Sequence, residues 1–234
     1  MKTVDHLVIV IAAVLYAASC SVAEAPEIVV LPSECPVFEA SIEDDADTKV
    51  FADSHLKILW HADDRISIFN KNTYNNQYKF DGETGDNAGS FTHIPNNTFV
   101  TGNALDNVYA VYPYSEKSSI SNSGVLKVEL PAKQSYAAGS FGRGANAMVA
   151  VTGDNMLIFK NVCGYFLFQL YGKDLFVSSI SLKATGGEAL AGVANVTVDS
   201  EGVPSAELVS ETSSEVVLEC DPPQPLGPDR KSVV

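Results

Sequence analysis

Basic residues are scarce in this 234-residue chain: 15 Lys and Arg stand against 29 Asp and Glu, a formal net charge of −14. Neutralising a phosphate backbone needs clustered cations, so nucleic acid is excluded as a partner class. The acidity is read as solubility in an extracytoplasmic space. Cysteine is sparse too, at Cys20, Cys35, Cys163 and Cys220, and the absence of any CxxC pair argues against a structural zinc. Inside its strand, Cys163 is expected to be a buried free thiol, and a Cys35–Cys220 bridge stays open. The histidines, His6, His55, His61 and His93, form no HExxH, and no serine sits in a GxSxG elbow. Gly142-Arg143-Gly144 lacks the glycine spacing of a dinucleotide or phosphate loop. No catalytic residue, cofactor or metal ligand is therefore expected, and the chain is not read as an enzyme.

Long apolar runs are also few. One stands out, Leu7 to Ala18 behind Met1-Lys2, too short to span a bilayer as a permanent helix but the length of a signal-peptide core. It ends in Ala17-Ala18-Ser19-Cys20, small residues directly before a cysteine, as in the bacterial lipoprotein signal. Residues 1–19 are accordingly expected to be removed and Cys20 to carry a lipid that anchors the chain in the outer membrane. Cleavage after Ala25 is the alternative, and Pro26 disfavours it. Residues 20–35 hold Pro26 and Pro32 and no basic residue; they read as a tether in which Ile28 to Leu31 can form a short strand.

What the chain has in quantity is alternation. Hydrophobic residues make up 46% of it, enough to bury a substantial core. Phe38, Ala40 and Ile42 alternate with Glu39, Ser41 and Glu43. Short strands are expected at Thr48–Phe51, Leu56–Trp60, Arg65–Phe69, Gln77–Phe80 and Ser90–Ile94. Between Asn107 and Tyr114, Val108, Ala110 and Tyr112 oppose Tyr109, Val111 and Pro113, and the proline ends the strand. Val125–Leu130 stops at Pro131, and Tyr136–Asn146 is small, Gly-rich and read as a loop. Met148–Val151, Ala191–Val198 and Glu215–Cys220 follow the same rule. The most apolar signal runs from Leu157 to Leu182. Phe166, Phe168 and Leu170 fall on one face and Tyr165, Leu167 and Tyr171 on the other, which predicts a central strand; Ile180 and Leu182 point inward from its partner. Absence of any helical period over three turns, together with many short strands, predicts an all-β chain folded as a β-sandwich.

Polar clusters in this frame carry little. Asp44-Asp45-Ala46-Asp47 lacks the turn glycine and closing glutamate of a calcium loop and reads as a solvated turn. His55 and His61 flank a strand near Asp63 and Asp64 and are expected to face water. Trp60 shares a face with Ile58, which places it in the core rather than on a sugar.

Several stretches, taken in order, resemble the fimbrillin family of surface proteins from anaerobic Gram-negative bacteria. Phe38-Glu39-Ala40-Ser41-Ile42-Glu43 with Thr48-Lys49 is similar to that family's opening strand. Leu59-Trp60-His61-Ala62-Asp63-Asp64-Arg65-Ile66-Ser67-Ile68-Phe69 is similar to its Trp, turn, Asp and apolar-strand motif, and Tyr109-Ala110-Val111-Tyr112-Pro113-Tyr114 to its aromatic strand ending in proline. Phe159-Lys160-Asn161-Val162-Cys163-Gly164, Val177–Leu182, Leu190-Ala191-Gly192 and Val217-Leu218-Glu219-Cys220 with Leu226-Gly227 follow in the family's order. The resemblance implies a transthyretin-like antiparallel β-sandwich at 36–205 and the start of a second domain at 206–228; residues 229–234, Asp229-Arg230-Lys231-Ser232-Val233-Val234, read by themselves as a non-native tail on a truncated gene, with a natural short basic tail as the alternative. It also implies a lipid-anchored fimbrial subunit on the outer membrane, whose partners are other subunits joined by β-strand addition and a host or bacterial surface ligand. No Arg precedes Arg65, and Lys49 holds the plausible loop position, so the resemblance does not extend to the Arg-directed cleavage of some members. The alternative function is an outer-membrane glycan-binding lipoprotein that does not polymerise.

Overall fold

The computed structural model describes residues 28–30, 35–43, 58–95, 98–138, 141–227 and 231–233. Residues 1–19, Cys20, the acidic run Asp44–Asp47, the expected strand Thr48–Phe51 and His55 lie outside the described residues. In chain order the strands are β1 (Ile28–Val30), β2 (Phe38–Ile42), β3 (Arg65–Asn70), β4 (Asn76–Phe80), β5 (Ala88–His93), β6 (Phe99–Thr101), β7 (Val108–Tyr112), β8 (Ser119–Ile120) and β9 (Leu126–Leu130). They continue with β10 (Lys133–Ser135), β11 (Met148–Thr152), β12 (Met156–Asn161), β13 (Phe168–Leu170), β14 (Phe176–Lys183), β15 (Ala191–Val198), β16 (Pro204–Ser213), β17 (Glu215–Pro225) and β18 (Lys231–Val233). No helix occurs among the described residues, as the missing helical period predicts.

The layout is more than a plain antiparallel sandwich. Strands β11-β12-β2-β5-β4-β3-β7 close into a seven-stranded barrel, and β16-β15-β9-β8 form a four-stranded sheet. Closure depends on one parallel pairing, β2 beside β12, with Ala40 opposite Leu157 and Ile42 opposite Phe159. Closing the sheet removes the open edges that a flat sheet would present.

Period-two alternation decides which core each side chain joins. From β3, β7 and β11, the side chains of Ile66, Ile68, Ala110, Tyr112, Met148 and Ala150 fill the barrel. The alternate residues Phe69, Val111 and Val149 instead pack with Leu126, Val128, Ala194 and Val196 in a second core. These three strands are buried on both faces, as continuous apolar runs require. β9 shows the half-buried version: Leu126, Val128 and Leu130 are buried while Lys127 and Glu129 are exposed.

Aromatic packing closes the barrel interior. The Trp60 ring meets Phe91, Tyr112 and Phe159 edge-on, with centroids 5.2, 5.4 and 5.4 Å away. Such pairs contribute about 0.5–1.5 kcal/mol each beyond simple burial. Trp60 is therefore a core residue, as the phase of Ile58 predicts. A buried amide then ties in the short strand β6: Asn76 Nδ2 donates to the Val100 carbonyl at 2.8 Å, and the Val100 N–H donates to Asn76 Oδ1 at 2.8 Å. β6 in turn pairs with β1, Val29 opposite Val100.

The expected centre at Leu157–Leu182 is corrected by the structure. Leu157 and Phe159 are buried in the barrel, but Phe166 is 64% exposed and Tyr171 is 69% exposed. The run divides instead into β12, which belongs to the barrel, and β13, which pairs with β18. An apolar run is buried only where a second layer covers both of its faces, and none covers both faces at Phe166–Tyr171 among the described residues.

Candidate functional site

A third sheet, in the order β10-β17-β14, builds the site. β17 is its middle strand, parallel to β10 and antiparallel to β14. Register sets Ile180 opposite Leu218 and Leu182 opposite Val216, so two cross-strand apolar pairs lie side by side on one face. Their neighbours Ser179, Ser181, Lys183 and Glu219 are exposed, the alternation that gives a half-buried strand. Among the described residues β14 and β10 are the two edges of this sheet. An edge strand leaves a row of backbone donors and acceptors for another strand to pair with.

Over the apolar face runs a groove of about 190 Å³. Its floor is Ile180, Leu182, Val216 and Leu218, and its walls include Leu130, Phe141, Ala147, Cys163, Tyr165 and Phe168. Leu130 and Ala147 also belong to the second core, so the groove continues that core outward. Beside it the large side chains of Phe166, Leu175 and Phe176 are exposed. Exposed apolar groups gathered at an open strand edge have the shape and chemistry to accept an extended apolar segment.

Two cysteine expectations meet the structure here. Cys163 is exposed at the groove wall rather than buried, because its strand ends at Asn161 and the chain leaves the barrel. Among the described residues no disulfide joins Cys35 to Cys220, which settles the open bridge in the negative. Partial desolvation against the groove wall lifts the Cys163 thiol above its ordinary pKa.

A second cluster lies at the mouth of the barrel. His61 is exposed, as expected for a turn residue, and its N–H donates to Asp64 Oδ2 at 2.8 Å. Asp64 itself is only 2% exposed. The Tyr112 hydroxyl donates to its Oδ1 at 3.4 Å, and Arg143 Nη2 lies 3.5 Å from the same oxygen. Burial and the Asp64 carboxylate together push the Tyr112 phenol well above its ordinary pKa. Neighbouring Asp63 adopts φ 69° and points outward to Lys79, which bonds it at 2.6 Å and lowers its pKa. Sequence reasoning missed the burial of Asp64; the alternation Asp64, Ile66, Ile68 was the signal, since it phases the carboxylate with the barrel interior.

No family model matches the chain, and no curated protein matches it. Among solved structures, it is similar to a crystal structure described as a "putative cell adhesion protein" from Bacteroides uniformis. The two share 20% identity over 85% of this chain and 73% of the other, with a TM-score of 0.41.

Proposed function

We propose that this protein is a non-enzymatic, fimbrillin-like surface subunit, anchored to the outer membrane through a lipid on Cys20, that assembles by accepting a strand from a neighbouring subunit. The observation that carries the reading is the groove: an apolar floor of Ile180, Leu182, Val216 and Leu218 beside the open edge of β14. A strand added there gains main-chain hydrogen bonds from β14, and its alternate side chains enter the groove. The order of the fimbrillin-like motifs supports the same assignment. Trp60 is enclosed by the barrel, so the glycan-binding alternative loses its stacking residue.

Placing Asp at Leu182 tests the reading, because a carboxylate on the groove floor opposes an apolar side chain while the barrel is untouched. Membrane extracts of the variant are expected to contain monomer and no higher assemblies. Assemblies at the wild-type level would overturn the proposal. For the anchor, Cys20→Ala is expected to release the chain as a soluble periplasmic protein, and recovery of that variant in the outer membrane contradicts it.

A further inference from the structure

We propose that the Phe141–Asn146 loop is a latch over the groove, pinned by Arg143 on the buried Asp64, and that releasing it enlarges the groove. This rests on the reading of the groove as the assembly site and names how that site is controlled.

The loop touches three parts of the molecule at once. At its start, Phe141 packs at a tilt of 42° against Tyr165 with ring centroids 4.6 Å apart, and both rings line the groove. Next, Gly142 lies so close to β10 that a Cβ there would come within 2.0 Å of the Ser135 carbonyl oxygen. Only glycine allows that approach. Then Gly144, at φ +78°, turns the chain, and Ala145 N–H closes the turn on the Gly142 carbonyl at 2.9 Å. Finally Arg143 reaches away from the groove to the barrel mouth and Asp64. Phe141 and Asn146 line both the groove and the small cavity of about 20 Å³ that holds Arg143, Trp60 and Tyr112. The loop is thus the shared wall of two sites.

Its electrostatics suit a latch rather than a rivet. The Arg143 side chain is 64% exposed while Asp64 is buried, so one partner is free to leave while the other stays. Water around the exposed guanidinium eases its departure, while the buried Asp64 carboxylate relies on the donors that remain to it. Asp64 keeps the His61 N–H and the Tyr112 hydroxyl when the guanidinium departs, so the barrel does not depend on the pair. Linkage makes the coupling reciprocal: a segment that displaces Phe141 from the groove loosens Arg143, and loss of Arg143 eases entry to the groove.

The test uses the full chain with anilinonaphthalene sulfonate as the groove probe and hydrogen exchange as the report on the loop. Arg143→Gln is expected to raise dye binding severalfold and to speed exchange at Ala145 and its neighbours, with the melting curve unchanged. Arg143→Lys, which keeps the charge, is expected to stay near wild type. Adding Leu182→Asp to Arg143→Gln is expected to remove the extra dye signal, which assigns it to the groove. Unchanged dye binding in Arg143→Gln, unchanged loop exchange, or a dye signal that survives Leu182→Asp each overturns the latch. If the latch behaves as expected while Leu182→Asp alone leaves assembly intact, the strand-accepting reading fails and the latch stands.

Discussion

The barrel and the β10-β17-β14 sheet are built from the same material and reach opposite ends. Both bring alternate apolar residues face to face across a register, the barrel on strands of five or six residues and the sheet on Ile180 and Leu182 of β14 against Leu218 and Val216 of β17. In the barrel, β2 and β12 join and the apolar face turns inward, so Phe38, Phe91 and Phe159 are fully enclosed. In the three-stranded sheet β14 ends the order, and Ile180 and Leu182 are only half-buried above a groove. Closure, not hydrophobicity, separates the barrel from the sheet whose β14 edge carries the proposed assembly site.

If that contrast is right, cutting into each region should cost very different amounts. Phe159→Ala, at the meeting of β12 and β2, is expected to destabilise the protein by about 3–5 kcal/mol, read as a lowered denaturation midpoint. A loss below about 1 kcal/mol would mean that the barrel is not the stabilising core. Asn76→Leu comes next: the Val100 N–H and carbonyl lose their buried partner, at an expected cost of about 1–3 kcal/mol in the same measurement.

Alkaline pH probes the barrel interior through Tyr112. Its phenol titrates higher in the fold than in the unfolded chain, so the unfolded state gives up its proton first as pH rises. The contribution is fully present below about pH 10 and is lost above it, at up to about 1.4 kcal/mol per pH unit. Tyr78, also raised by burial, adds in the same direction. Tyr112→Phe is expected to flatten part of the alkaline loss; an unchanged slope of stability against pH would place Tyr112 in solvent. The smallest effect is expected at the open sheet, where Phe176→Ala should stay within about 0.5 kcal/mol of wild type because the ring is already exposed.

Strand phase was legible wherever alternation sends successive residues to two different surroundings, whether core and water or two cores. Val108, Ala110 and Tyr112 do enter the barrel, and Tyr109 and Val111 do face the second core. β16 was missed because its residues, Pro204 to Ser213, are mostly exposed on both sides and show no apolar alternation. It is a strand because β15 pairs with it, from Thr197 opposite Ser205 to Ala191 opposite Ser213. The run Phe166–Tyr171 misled in the opposite sense. Its apolar residues lie where no layer covers both faces among the described residues, and local sequence does not distinguish that from a face already covered. The groove was legible only in part: Ile180 and Leu182 carried the right phase, while Phe141 and Arg143 sat in a stretch read as plain loop. Their role comes from tertiary proximity to Tyr165 and Asp64, which no local pattern encodes.

Hydrogen exchange on the full chain, before and after assembly, tests the account most directly. The monomer is predicted to protect β3, β7 and β11 strongly while the β14 edge amides exchange fast, and assembly is predicted to slow β14 alone among these strands. Fast exchange at β14 in the assembled state, or slow exchange there in the monomer, would contradict the claim that this edge and its groove receive the incoming strand.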